Sequence, residues 1–135
     1  MGILMDHSQI KQYLLSFPGA TEDFPYGPDS GVYKVRHKLF AVLAESEGVS
    51  RVNLKCDPDE AIALRETYES ILPGYHMNKR HWNTIILDGS VPSDEIRRLI
   101  DNSYIIVVNG LQSREREFLE TNFGDHPLLA ALSEA

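Results

Sequence analysis

Val32-Tyr33-Lys34-Val35-Arg36-His37-Lys38-Leu39-Phe40-Ala41-Val42-Leu43 is the stretch that decides the fold. Two runs rich in β-branched and aromatic residues flank Arg36-His37-Lys38, the pattern of two strands joined by a basic hairpin tip. Glu45 to Ser50 supply the next polar turn, and Val52-Asn53-Leu54-Lys55 alternates apolar with polar as a third strand. Such a meander has one apolar face to bury and needs a second layer to cover it.

The flanking sequence supplies that layer. Asp6 or Ser8 can cap a first helix whose Ile10, Tyr13, Leu14 and Phe17 follow helical spacing, and Pro18-Gly19 stops it. Residues 19–30 contain Pro25, Gly27, Pro28 and Asp29 and read as a loop. Asp57 is a good N-cap for a second helix, Pro58 suits its first position, and Glu60 follows three residues after the cap. Ala61, Leu64, Arg65 and Tyr68 continue it. Gly74 then breaks the chain, and Thr84-Ile85-Ile86-Leu87 forms a further strand closed by Asp88-Gly89.

A long final helix is expected from a Ser93 cap, with Ile96, Leu99, Ile100, Ser103, Val107 and Leu111 along one side and Gly110 near its end. Its segment Tyr104-Ile105-Ile106-Val107-Val108 has strand propensity, but the stripe begun at Ile96 runs through it, so helix is expected there too. Residues 112–135 read as an acidic, less constrained tail with a short helix around Glu115–Thr121. The expected architecture is α+β: a single domain over residues 1–111, with an antiparallel β-sheet and helices packed on one face. The other face and the hairpin tips are left to solvent or a partner.

Composition narrows the class. At 135 residues, with 42% apolar and 24% charged side chains, the chain fits one ordinary globular domain. It has no apolar run of membrane-spanning length and no signal-peptide layout at its start, and Asp6 stands where a Met1-Gly2 myristoylation signal wants Ser or Thr. One cysteine, Cys56, leaves no internal disulfide and suits a reducing compartment, so a cytoplasmic protein without membrane association is expected.

The net charge of −7 argues against indiscriminate nucleic-acid binding, yet the charge is segregated. Residues 31–55 carry five basic residues (Lys34, Arg36, Lys38, Arg51 and Lys55) against Glu45 and Glu47, a local balance of +3. Residues 56–70 set five acids against Arg65, a balance of −4. A local basic face can bind phosphates on an acidic protein, because the field near the contact governs; alternating charge also simply solvates a surface.

Pro73-Gly74-Tyr75-His76-Met77-Asn78-Lys79-Arg80-His81-Trp82-Asn83-Thr84 combines cations, flat rings and amides with no acid. Lys79 and Arg80 suit phosphates, Tyr75 and Trp82 suit base stacking, and Asn78 and Asn83 suit base edges. Each also has a structural reading: Trp82 in the core at a strand start, Lys79 and Arg80 solvated, and the asparagines in turns. The tip residues Arg36, His37 and Lys38 are likewise a positive wing or a solvated turn.

Catalytic and metal chemistry are poorly supplied. His76 and His81 are five residues apart with no local third ligand, so no metal and no cofactor are expected. Cys56 sits at a helix N-terminus, where the dipole would lower its pKa, but it lacks a paired base. Glu22, Asp23 and Asp29 lie in a loop without an acid–base partner. A non-enzymatic protein is expected.

Several motifs together resemble the MmcQ/YjbR family of small bacterial proteins. They are Pro18-Gly19-Ala20-Thr21-Glu22-Asp23, Pro25-Tyr26-Gly27-Pro28-Asp29, Lys34-Val35 with Lys38-Leu39-Phe40-Ala41, Val52-Asn53-Leu54-Lys55-Cys56-Asp57-Pro58, and Gly74 through Thr84. Leu87-Asp88-Gly89-Ser90 and Ile100-Asp101-Asn102-Ser103-Tyr104 complete the set, which covers about residues 8–111. The resemblance implies a CyaY-like fold with two β wings, a double-wing arrangement associated with DNA binding. It makes nucleic acid, most readily DNA, the expected partner, at modest and salt-sensitive affinity. The candidate phosphate contacts are Lys34, Arg36, Lys38, Arg51, Lys55, Lys79 and Arg80. Tyr75 and Trp82 would stack, with His76, Asn78 and His81 in the same surface. The alternative is a small-ligand or protein-interaction domain with the Pro25–Asp29 loop and the Tyr75–Trp82 segment as pocket walls; the open sheet face also suits a second copy of the chain.

Overall fold

The basic hairpin forms as its sequence predicts and sits second from one edge of a six-stranded antiparallel sheet. The computed structural model describes residues 5–129. In chain order the elements are α1 (His7–Leu15), β1 (Ala20–Asp23), β2 (Ser30–Val35), β3 (Lys38–Ser46), β4 (Val49–Lys55), α2 (Pro58–Thr67), β5 (Ile71–Pro73), β6 (Trp82–Ile86), α3 (Ser93–Asn109) and α4 (Ser113–Phe123). The strands lie in the order β1-β2-β3-β4-β6-β5. Met1-Gly2 and the last six residues of the expected tail lie outside the described residues.

Period-two alternation assigns the two faces. Tyr33, Ala41, Leu43, Val52, Leu54, Ile71 and Ile85 are paired across neighbouring strands and buried under the helices. Val32, Val42, Asn53, Thr84 and Leu72 pair across the opposite face. Residues 19–30 are not a loop throughout: Ala20–Asp23 is edge strand β1, paired with Val32–Val35. Its composition, Ala-Thr-Glu-Asp, hides it, because an edge strand needs only one partner and tolerates polar residues.

Helix starts follow local chemistry. Asp6 caps α1 in a reciprocal capping box with Gln9. Asp57 accepts from the Asp59 and Glu60 amides, with Pro58 at the first position of α2. Ser93 does not cap α3: Pro92 occupies the cap position, without a side-chain hydrogen bond, and Ser93 is the first helical residue. A proline there has a fixed extended-compatible backbone and sends the chain into the helix without a side-chain acceptor.

The β-branched run of α3 is helical. Ile96, Leu99, Ile100, Ser103, Tyr104, Val107 and Val108 are all buried on its sheet-facing stripe, and that burial outweighs a few tenths of a kcal/mol of propensity per residue. Tyr104 stacks on Phe17 at 4.8 Å and meets Phe40 edge-on at 5.4 Å, and its hydroxyl donates to the Pro18 carbonyl at 2.7 Å.

The C-terminal segment departs from expectation. The helix anticipated around Glu115–Thr121 is α4, but it is not loosely held. Leu119 is fully buried, and its Cδ2 lies only 2.9 Å from where a Cβ on Gly19 would stand. Gly19 also adopts φ +71°, so both its backbone and the space above it require glycine.

Candidate ligand groove on the open sheet face

A β-bulge shapes the site. Tyr33 pairs with Ala41 but Lys34 pairs with Leu39, which leaves Phe40 as an extra residue in β3. Phe40 therefore joins Ala41 on the helix side, at 0% exposure, while Leu39 turns to the open face. The β3–β4 ladder ends at Ala41 and Leu54. At the next rung Ser103 of α3 intervenes: its hydroxyl donates to the Phe40 carbonyl at 2.6 Å and accepts the Lys55 amide at 2.8 Å. A buried serine on an apolar helical stripe thus completes the sheet where the bulge interrupts it.

The open face carries a groove of about 840 Å³. Its floor is formed by Val32, Leu39, Val42, Ala44 and Asn53 from the three central strands. Pro25 and Tyr26, from the β1–β2 connection, make one wall. Tyr75, His76 and Met77, from the β5–β6 connection, make the other. Lys34, His37 and Lys38 line it at the end where β2 turns into β3. That turn has two central residues, Arg36 and His37, at φ 47° and 72°, the two positive φ values of a type I′ hairpin turn. The size lies within the roughly 300–1,000 Å³ range of small-molecule sites.

The tyrosine wall is held from below. The Tyr75 amide donates to Thr84 Oγ1 at 2.9 Å, the Tyr75 carbonyl accepts Asn53 Nδ2 at 3.1 Å, and the Thr84 hydroxyl donates to Asn53 Oδ1 at 2.6 Å. Three hydrogen bonds form a closed circuit around the backbone of one residue, Tyr75. Gly74 lets the chain make this crossing, because a Cβ there would lie 2.7 Å from the Trp82 Cβ. The Arg65 guanidinium ties down the far part of the connection through Asn83 Oδ1, at 2.7 Å, and the carbonyls of Lys79 and Trp82.

Of the twelve sequence candidates, the groove collects Lys34, Lys38, Tyr75 and His76. Lys79 and Arg80 are exposed on the same connection but outside the groove. Asn78 is a turn residue, its Oδ1 accepting the Arg80 amide. Arg51 and Lys55 lie on the open face beyond the lining, and His81 holds the Cys56 amide with its carbonyl. Trp82 is buried, at 8% exposure, with the chain at Gly74 packed against its Cβ, and so offers little ring for stacking. Arg36 is not a free phosphate contact: its Nε donates to Glu115 at 2.5 Å and its guanidinium lies 3.8 Å from the Phe118 ring centre. That partner also holds the Glu115 carboxyl below its ordinary range.

Cys56 is not an activated thiol. Burial, followed by the nearby Glu60 and Asp57 charges, pushes its thiol up to about 11, so the helix-dipole lowering does not prevail. Among the described residues no three His, Cys, Asp or Glu side chains gather to hold a metal ion.

The sequence does not single out Asn53, Thr84 or the bulge. The only visible signal is Asn53 itself, an amide between Val52 and Leu54 in a strand whose alternation would accept any polar residue.

These features define an α+β domain with helices on one sheet face and a walled groove on the other. A family model described as YjbR matches residues 15–106, and the chain belongs to the YjbR family. It is 37% identical over 115 residues to "Uncharacterized protein YjbR" of Escherichia coli K12, covering 85% of this chain and 98% of that protein. The Bacillus subtilis protein YyaQ is 35% identical over 100 residues, covering 64% of this chain and 84% of its own. Among solved structures, a Deinococcus radiodurans protein of the domain DUF419 matches with a TM-score of 0.79 at 32% identity, covering 86% of this chain and 88% of that one. A Pseudomonas syringae protein matches with a TM-score of 0.65 at 30% identity, over 73% of this chain and 96% of that one. The family match ends at residue 106, within α3, so α4 lies beyond it. No helix among the described residues is long and apolar enough to cross a membrane.

Proposed function

We propose that the protein is a non-enzymatic binding module whose site is the open-face groove, and that the groove receives a compact organic ligand with an apolar body. The observation that carries this reading is the groove itself: an apolar floor supplied by the central strands, walled by two independent connections. Its walls fall in the Pro25–Asp29 loop and the Tyr75–Trp82 segment.

Nucleic acid is the second reading. It is favoured by Tyr26 and Tyr75, which are 81% and 65% exposed beside the cationic end of the groove. The pairing of Arg36 and the burial of Trp82 remove two of its strongest contacts, and the −7 net charge opposes a polyanion.

The test uses a neutral fluorescent naphthylamine as a probe of the groove and a short labelled single strand as a probe of the second reading. Ala44→Trp, which fills the floor from the solvent side, is expected to weaken the naphthylamine by about tenfold or more. The strand is expected to show little anisotropy change at physiological salt. Saturable strand binding that survives Ala44→Trp and falls in Lys79→Ala/Arg80→Ala would instead establish the nucleic-acid surface.

A further inference from the structure

The groove is chemically asymmetric. None of its lining residues is Asp or Glu, although the chain carries 20 acids against 13 Lys and Arg. Lys34 and Lys38 both line one end, and among the described residues neither has a carboxylate within 4.0 Å. The other cation of this hairpin, Arg36, is neutralised by Glu115 on the α4 side. The hairpin thus keeps one charge for structure and leaves two lysines, with His37 between them in sequence, at the end of the apolar floor. Unpaired ammonium groups beside a low-dielectric surface attract an anion more strongly than the same groups on an open convex surface.

The rest of the groove offers flat faces. Tyr26 and Tyr75 approach from opposite connections and stay largely exposed, and His76 lies against Tyr75 with ring centres 4.0 Å apart. One of the two Asn53 Nδ2 hydrogens is used by the Tyr75 carbonyl; the other remains to donate from the floor, since a primary amide carries two.

We infer that the groove's ligand is a planar aromatic anion: its carboxylate, sulfonate or phosphate lies at Lys34 and Lys38, and its ring lies over the Val42–Asn53 floor between the tyrosine walls. The inference rests on the groove being the ligand site. It adds a sign of charge and an orientation that an apolar groove alone does not specify.

A matched pair of probes separates the two claims. Anilinonaphthalenesulfonate and the neutral phenylnaphthylamine share the ring system and differ in the anionic group. At low salt the folded protein is expected to bind the sulfonate about tenfold more tightly than the amine, as two nearby ammonium groups would supply. Lys34→Gln/Lys38→Gln is expected to abolish that preference, bringing the sulfonate down to about the affinity of the amine for the same variant. Ala44→Trp is expected to weaken both probes, with an unchanged circular dichroism spectrum confirming the fold. Equal affinity for the two probes in the natural protein, or a preference that survives the double lysine variant, overturns the anionic class while leaving the groove intact. Undiminished binding of both probes to Ala44→Trp overturns the groove reading and the inference with it. Lys34 and Lys38 are surface residues whose replacement leaves the core untouched, so the charge test stands even if Ala44→Trp fails to fold.

Discussion

Leu119→Ala is expected to cost about 2–5 kcal/mol of stability, the range for truncating a fully buried leucine whose site cannot collapse. Leu119 is the one residue of α4 that is wholly buried, and it fills the space above Gly19. That glycine is locked at φ +71°, so the chain beneath has little freedom to close the cavity. The same contact anchors the helix that supplies Glu115 and Phe118 to Arg36, so the variant should also loosen the hairpin tip. Chemical denaturation would read the loss as a lower midpoint at nearly constant slope. A change below about 0.5 kcal/mol, the usual size for an inert surface position, would show that residues after 112 are the loose tail their composition suggests.

Ser103→Ala is expected to have an effect of similar size for a different reason. The hydroxyl stands between the Phe40 carbonyl and the Lys55 amide, at 2.6 and 2.8 Å, and is itself fully buried. Removing it leaves a buried carbonyl and a part-buried amide without a partner, each costing about 1–3 kcal/mol, roughly 2–6 in total if the strands do not close. Because Phe40 is the bulged residue and Leu39 beside it lines the groove, the variant should also disturb the groove floor. Thermal unfolding reads the stability loss, and hydrogen exchange at the Lys55 amide reads its cause. An unchanged melting temperature with a still-protected Lys55 amide would mean the strands pair directly once the serine is gone, and the bridging account would be wrong.

The sequence carried the elements whose signals are local. Arg36-His37 between two apolar strands, Asp57-Pro58 at a helix start, and the stripe from Ile96 to Val107 each state their structure in a few residues. What it did not carry depends on distant partners or on special backbone. β1 and β5 are four and three residues long at the two sheet edges, the second containing Pro73, and neither alternates strongly enough to be read. Arg36 looked like a wing-tip cation because Glu115 is 79 positions away. Trp82 reads equally as a stacking ring or as a core residue at a strand start, and its burial at the start of β6 selects the second.

The groove was half legible. Both of its walls contain turn residues and exposed aromatics that mark them as contact material. Its floor was not, because alternation shows that Val32, Val42 and Asn53 share a face but not that the face is left uncovered. The bulge that turns Leu39 toward that face has no sequence signature of its own.

The central claim is that ligand enters this groove and not the exposed Lys79-Arg80 segment or the α4 side. The most direct test is an amide chemical-shift titration of the isotopically labelled protein with anilinonaphthalenesulfonate. The account predicts saturable shifts at Val42, Asn53 and Tyr75, with Lys34 and Lys38 moving in the same titration. Shifts confined to Lys79, Arg80 or α4, with Val42 and Asn53 unmoved, would contradict it.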